Sequence, residues 1–245
     1  MTVSRPKRGE IMSGATTSFQ NELLSRLIPA DLALFSGDLI PVRFEKRDLL
    51  IAADKTIQRT YFLEAGIASV VATTPGGLQT EVGIIGKEGM IDVATALGSV
   101  MAPLEIFIQA PGHGFSLPSV VFQEAMAKSV TLKAVMLNFA QNFLVQVSHT
   151  ALSAAALSIK ARLARWLLMC DDRTQGSEIP VTHELLSLML SVRRPGVTEA
   201  VQAVEATGEV CAHRGMIEVL DRALLKQIAG DGYGAPEIYA GKSID

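Results

Sequence analysis

The sequence predicts an α+β protein: an N-terminal jelly-roll-like β-roll, then one long helix, then a smaller C-terminal domain of short helices and a hairpin. Three observations carry that expectation. From Leu39 to Ala110, short runs rich in β-branched and aromatic residues are punctuated by Gly and Pro, the pattern of an all-β roll or barrel. From Ser119 to Cys170 the chain holds no Gly and no Pro, so it reads as helix. Beyond Asp171 the apolar rhythm returns in short pieces separated by turn residues.

Each element follows from its residues. Asn21 to Leu34 carries leucines at helical spacing and is broken into two short helices by Pro29. The strands are "LIPVRFE", "LLIAA", "TYFLEAGIASVVAT", "LQTEVGII" and "LEIFIQA", with Gly37, Gly66, Pro75-Gly76-Gly77, Gly86, Gly89 and Pro111-Gly112 as punctuation. The clearest hairpin joins Ala68–Thr74 to Leu78–Ile85 through Pro75–Gly77. The Gly-free stretch is too long for one ordinary globular helix and divides near 118–128, 130–152 and 157–172. In its middle piece Leu132, Val135, Met136, Phe139, Phe143 and Val147 recur at three- and four-residue steps. That stripe either lies on its own domain or pairs with a copy of itself, these six then forming the dimer interface. In the third piece, Trp166 is expected to pack the junction with the C-terminal domain, and Arg162 and Arg165 to be surface cations.

Composition bounds the function. A chain of 245 residues, 49% apolar, can build a sizeable core in one large or two small domains. No apolar run approaches the roughly 18 residues needed to cross a membrane. Residues 1–18 lack the apolar stretch of a signal peptide and read as a leader. Two cysteines, Cys170 and Cys211, are too few for a disulfide framework and suit a reducing compartment, so a cytoplasmic protein is expected. Neither they nor the four scattered histidines show ligand spacing, so no metal is expected. There is no GxSxG, P-loop or HExxH, and no catalytic residue is assigned. A net charge of −3 argues against broad polyanion binding. It leaves room for a local basic patch, because an arginine acts on a phosphate within a Debye length of about 8–10 Å.

One stretch supplies such a patch. In "VTHELLSLMLSVRRPGVTEAVQAVE", Thr182 can cap a helix whose Leu185, Leu186, Met189 and Leu190 face a core. Ser191 and Val192 form a tight connection. Arg193, Arg194 and Pro195 then open a second helix, where proline is tolerated because its missing N–H would be unpaired anyway. Val197, Ala200, Val201 and Val204 make its buried face; Thr198, Glu199 and Gln202 join the arginines on the other. Two short helices in this order read as a helix-turn-helix whose second helix enters a DNA major groove. Arginine there can pair bidentately with guanine. The runs around His213-Arg214-Gly215 read as a hairpin with Arg214 at its tip, a wing for the phosphate backbone. Thr182 completes the expected DNA-contacting set.

With those residues in view, the chain resembles the Crp/Fnr-type transcriptional regulators from about Phe19 onward. "YFLEAGIASVVATTPGGLQTEVGIIGKEGM" matches the β-roll centre, "RLARWLLMCDD" the opening of the C-terminal domain, the helix pair its reading head and "HRGMIEVLD" its wing. The resemblance implies a cyclic-nucleotide-binding-like sensor at 19–128, a dimerisation helix and hinge at 129–156, and a winged helix-turn-helix DNA-binding domain at 157–245. It implies that Arg193, Arg194, Pro195 and Glu199 begin the recognition helix. Pro195 replaces a polar reader of the best-known members, so a different DNA consensus is expected. It also implies a homodimer on a palindromic double-stranded operator, with RNA polymerase as a further candidate partner.

The family's effector pocket sets a Gly-Glu pair on a ribose and an Arg-Ser pair on a cyclic phosphate. Here the region reads "GMIDVATALGSVMAPLEI". Met90 and Asp92 stand near the first pair, and Met101, Ala102 and Pro103 occupy the second without a cation. A buried cyclic phosphate without a positive partner is costly, so ordinary cyclic-AMP binding is not expected. Two distant cysteines cannot hold an iron–sulfur cluster. No cofactor is assigned, and the effector is unidentified. The alternative function is a ligand-binding regulatory module that acts on a partner protein rather than on DNA.

Overall fold

The computed structural model describes residues 18–174 and 176–234. The expected leader, apart from Ser18, and the Gly/Pro-rich tail after Gly234 lie outside the described residues. The chain divides into two compact units. The first holds the chain up to Val70 together with Ile85–Ala140; the second holds Val71–Ile84 together with the chain from Gln141 onward.

The first unit opens with helices α1 (Glu22–Arg26) and α2 (Pro29–Leu32), separated where Pro29 was expected to divide them. Asn21 explains why α1 starts there. Its carboxamide oxygen accepts from the N–H groups of Leu23 and Leu24 at 3.2 and 3.1 Å, and its nitrogen donates to the carbonyls of Leu63 and Gly89 at 2.9 and 2.8 Å. One fully buried side chain therefore caps the helix and pins it to the roll.

The strands are β1 (Ile40–Phe44), β2 (Leu49–Ile51), β3 (Arg59–Thr73), β4 (Gln79–Ile85), β5 (Met90–Ile91) and β6 (Glu105–Pro118), with helix α3 (Val93–Ala96) before β6. They form one sheet in the order β1-β6-β3-β4, with β2 on β6 and β5 on β3. The antiparallel pairing of β1 with β6, Ile40 opposite Ser116, folds the last strand back on the first and makes a roll. Phe35, Phe62 and Phe122 pack mutually at 6.0–6.4 Å between centroids and fill its centre.

Two expected breaks are not breaks. β6 continues through Pro111-Gly112, and β3 through Gly66. The glycines serve close approach instead of turning the chain. A Cβ at Gly112 would lie 2.0 Å from the Ala65 carbonyl oxygen, and one at Gly114 2.1 Å from that of Phe62. Helix α4 (Ser119–Lys128) follows, then the long α5 (Val130–Ala156). Ser129 caps α5 by accepting from Leu132 N–H at 3.0 Å. Asp31 of α2 accepts from the Ser129 and Thr131 hydroxyls at 2.5 and 2.6 Å, which fixes where α5 begins.

The second unit contains α6 (Ile159–Asp171), β7 (Glu178–Ile179), α7 (His183–Leu190), α8 (Arg194–Glu205), β8 (Val210–His213), β9 (Met216–Val219) and α9 (Arg222–Ala229). β7, a two-residue strand inside "DDRTQGSEIP", joins the β8–β9 hairpin in a sheet ordered β7-β9-β8. α6 is the core of this unit: Leu163, Ala164, Leu167, Leu168 and Cys170 are fully buried. Arg222 of α9 binds Asp171 and Asp172 at the end of α6, and the Tyr233 hydroxyl, 2.7 Å from Arg222, donates to Asp172 at 2.7 Å.

The arginines of α6 are not surface cations. Arg165 is only 5% exposed, its Nε donating to Gly232 O at 2.9 Å and its Nη1 to Thr150 Oγ1 at 3.3 Å. Arg162 is partly buried and donates to Leu190 O. Burial holds its guanidinium below the usual range. Both cations answer carbonyls that no local pattern announces.

Gly112→Ala should cost more than about 3 kcal/mol of folding stability, because backbone must move to admit the methyl. Gly37→Ala, with open space around it, should change stability by less than about 1 kcal/mol. Chemical denaturation of the two variants checks the contrast.

Candidate nucleic-acid interface

The helix pair is built as its residues dictate. Thr182 caps α7, its hydroxyl accepting from Leu185 N–H at 3.2 Å. Leu186, Met189 and Leu190 are buried beneath it. α7 ends at Ser191 in the left-handed conformation, φ 49° and ψ 44°, with Val192 N–H bonded to Ser187 O at 3.2 Å. That is a Schellman-type ending, with serine where glycine is usual. Arg162 supplies a further donor to the last α7 carbonyl.

Arg193 is the N-cap of α8, with no side chain closing the helix start. The first N–H groups of α8 therefore lack a side-chain acceptor, and the helix dipole adds positive potential there. Arg193, Arg194 and Pro195 are exposed, as are Glu199 and Gln202 on the next turns. Val197, Ala200, Val201 and Val204 are buried. Thr198 is half-exposed, and its hydroxyl donates to Arg194 O at 3.2 Å. Arg193 and Arg194 are thus exposed at the start of α8, and Pro195, Glu199 and Gln202 on its outer side. Thr182 and Thr198 are engaged with local backbone.

The hairpin of β8 and β9 pairs Val210 with Val219 through His213 with Met216. Gly215, at φ 82°, makes the turn and leaves Arg214 exposed at the tip. Sequence reasoning missed what holds this hairpin to α8. Glu205, the last residue of α8, accepts from Ala212 N–H at 3.0 Å. An acid that bonds a backbone seven residues on has no sequence signature. Across the hairpin, His213 lies 4.0 Å from the Glu218 carboxylate.

The expected effector residues do not share one surface. Met90 is fully buried opposite Phe62, and Ala102 is buried with its N–H bonded to Lys55 O at 2.9 Å. Met101 and Pro103 face solvent on either side of it. Asp92 is buried, takes φ 82° at the start of α3 and accepts from the Thr95 hydroxyl. Burial pushes its carboxyl above the usual carboxylate range, partly offset by that hydrogen bond. Among the described residues, no group of three His, Cys, Asp or Glu is placed to hold a metal. No described helix is long and apolar enough to cross a membrane.

Much of the α5 stripe lies against the chain's own residues. Leu132, Met136 and Phe139 are buried within the chain itself, and Val135, Phe143 and Val147 are half-buried. Phe139 lies 2.4 Å from where a Gly89 Cβ would stand, and Phe143 2.9 Å from that of Gly83. The face left open is a different one: Val130, Ala134, Leu137, Gln141, Leu144, Ser148, Ala151 and Ala155, at alternating four- and three-residue steps. Val130 is 85% exposed and Leu144 57%.

Residues 161–228 match the family model of the Crp-like helix-turn-helix domain. No curated protein matches the chain by sequence. Several solved structures match its fold. A protein from Eubacterium rectale assigned to the Crp/Fnr family of transcriptional regulators gives a TM-score of 0.68 at 17% identity, over 86% of this chain and 98% of that one. FixK2 from Bradyrhizobium japonicum gives 0.67 at 12%, over 78% and 98%. TTHB099, a CRP-family transcriptional regulator from Thermus thermophilus, gives 0.64 at 17%, over 77% and 96%. The winged helix-turn-helix read from the residues is the fold that these structures share.

Thr182→Ala should cost about 1 kcal/mol through loss of the cap, measurable by denaturant titration. Asp92→Asn tests the buried acid. A carboxyl raised by folding stabilises most below its unfolded pKa and loses that contribution as pH rises through the folded value. The variant should therefore gain stability over wild type as pH climbs above about 4. Thermal melts between acidic and neutral pH check the sign.

Proposed function

We propose that this chain, Crp/Fnr-type in fold and carrying a Crp-like helix-turn-helix domain at residues 161–228, is a dimeric, sequence-specific DNA-binding regulator. The observation that carries the reading is the open α8 face: two arginines and an uncapped helix start, backed by a valine and alanine face that fixes the helix. Arg193 and Arg194 lead into a major groove, and Glu199 and Gln202 reach the bases beyond. Pro195 adds no polar group to base reading. Arg214 on the wing takes a phosphate. The overall negative charge limits affinity for DNA in general and leaves selectivity to these few contacts.

The exposed α5 stripe supports dimerisation through that face. Its steps of four and three match the 3.5-residue repeat by which two helices pack along a seam. A two-fold dimer reads a palindrome with half-sites about one helical turn apart. The absence of a cation at Met101–Pro103 argues for an effector other than cyclic AMP, and two separated cysteines argue against an iron–sulfur cluster.

Selection from random duplex DNA should return a palindromic site. Arg194→Ala should then lose roughly 1–3 kcal/mol at one base position and less elsewhere. A uniform loss over all sequences, with a shallower salt dependence, would make Arg194 a phosphate contact instead. Replacing both Leu137 and Leu144 by Lys should give monomers in analytical ultracentrifugation and abolish tight binding to the full site.

A further inference from the structure

We infer that Glu81, on the β3–β4 hairpin, is a positioning residue for the DNA-reading helices; the inference rests on the DNA-binding function proposed above. Both strands of this hairpin run out of the first unit, yet the segment Val71–Ile84 is part of the second. There Glu81 is buried, and its carboxylate accepts a hydrogen bond from the indole N–H of Trp166 at 2.8 Å. Two further bonds hold the same strand to α5. The Gln146 carboxamide accepts from Ile84 N–H at 2.7 Å and donates to Ile84 O at 3.1 Å, closing the backbone of β4 as another strand would. Gly83 admits this approach, since a Cβ there would lie 2.8 Å from Gln146 Oε1. One residue before Glu81, the Thr80 hydroxyl is bonded to that of Ser191 in the turn between α7 and α8.

The path from Glu81 to the reading face is short. Trp166 and Arg162 stand four residues apart on α6 and so share one of its faces. Trp166 holds the hairpin, while Arg162 holds the final carbonyl of α7. Ser191 follows that carbonyl, and Arg193 and Arg194 follow Ser191. An apolar residue at position 81 would serve burial as well as a carboxylate. A directional hydrogen bond from the Trp166 indole N–H instead favours one geometry. The arginines are exposed in the arrangement that this clasp holds. Loosening it divides the DNA-binding unit among several arrangements and lowers apparent affinity by the fraction lost.

Trp166 is the single tryptophan of the chain, so its fluorescence reports the contact directly. The full-length protein is compared with Glu81→Gln, which keeps a neutral acceptor, and with Glu81→Leu, which removes it. Each is titrated with the duplex selected by the wild type. Glu81→Leu should shift the Trp166 emission and weaken DNA binding about tenfold. Glu81→Gln should restore both. Trp166→Phe, which keeps an aromatic ring and loses the N–H, should weaken binding to a similar degree, and the double variant with Glu81→Leu should fall no further. Wild-type or tighter binding by Glu81→Leu or Trp166→Phe overturns the inference, as does unmoved emission in Glu81→Leu. If Glu81→Leu does not fold, Trp166→Phe decides alone. A wild-type chain that selects no DNA removes the proposed function, and this inference with it. A wild-type chain that selects a site which both variants bind equally well removes only the inference.

Discussion

The close approach of α5 to two glycines decides much of what this chain presents to its surroundings. Phe139 rests where a side chain at Gly89 would be, and Phe143 where one at Gly83 would be. With these rings seated, the rotation of α5 about its axis is fixed. Leu132 and Met136 then complete the buried side, and every fourth or third residue on the far side is left open. A methyl at either glycine would meet an aromatic ring in a close-packed interior, where even one carbon is felt. The outward face of the long helix is thus set by residues on the strands, not by the helix itself.

This explains why the helix was legible and its face was not. The absence of Gly and Pro from Ser119 to Cys170 announces helix, while the caps at Asn21, Ser129 and Ser158 emerge only in the structure. Apolar residues, however, fall on two sides of α5, and the larger ones make the more conspicuous stripe. Which stripe is inward depends on Gly83 and Gly89, more than forty residues away in sequence. Elsewhere too, what depended on distant partners stayed hidden. Pro111 and Gly112 look like a turn, yet the strand opposite needs the space that a glycine provides. Arg165 looks solvated, but Gly232 and Thr150 supply its acceptors. β7 is two residues long and exists only because β9 pairs with it.

The α7–α8 pair was readable because nearly all its determinants are local. Thr182 caps, Pro195 sits in a first turn, and the valines repeat at helical spacing. What could not be read is the support around it. Ser191 adopts a backbone conformation that costs a serine roughly 1–2 kcal/mol and a glycine far less. Arg162 and Glu205 act on backbone groups across the unit. The exposed α8 surface is local in sequence, but what holds it in place is not.

The open stripe of α5 is not uniformly greasy. Gln141 stands between Leu137 and Leu144, and Ser148 follows one turn beyond. In a seam between two identical helices aligned in parallel, a glutamine meets its own copy, and each amide can satisfy the other. Slid by one turn, or set against a relative with leucine at that place, the amide would be dehydrated without a partner. In the proposed dimer, a single carboxamide at mid-helix would favour the chain's own copy over a partner with an apolar residue at that place.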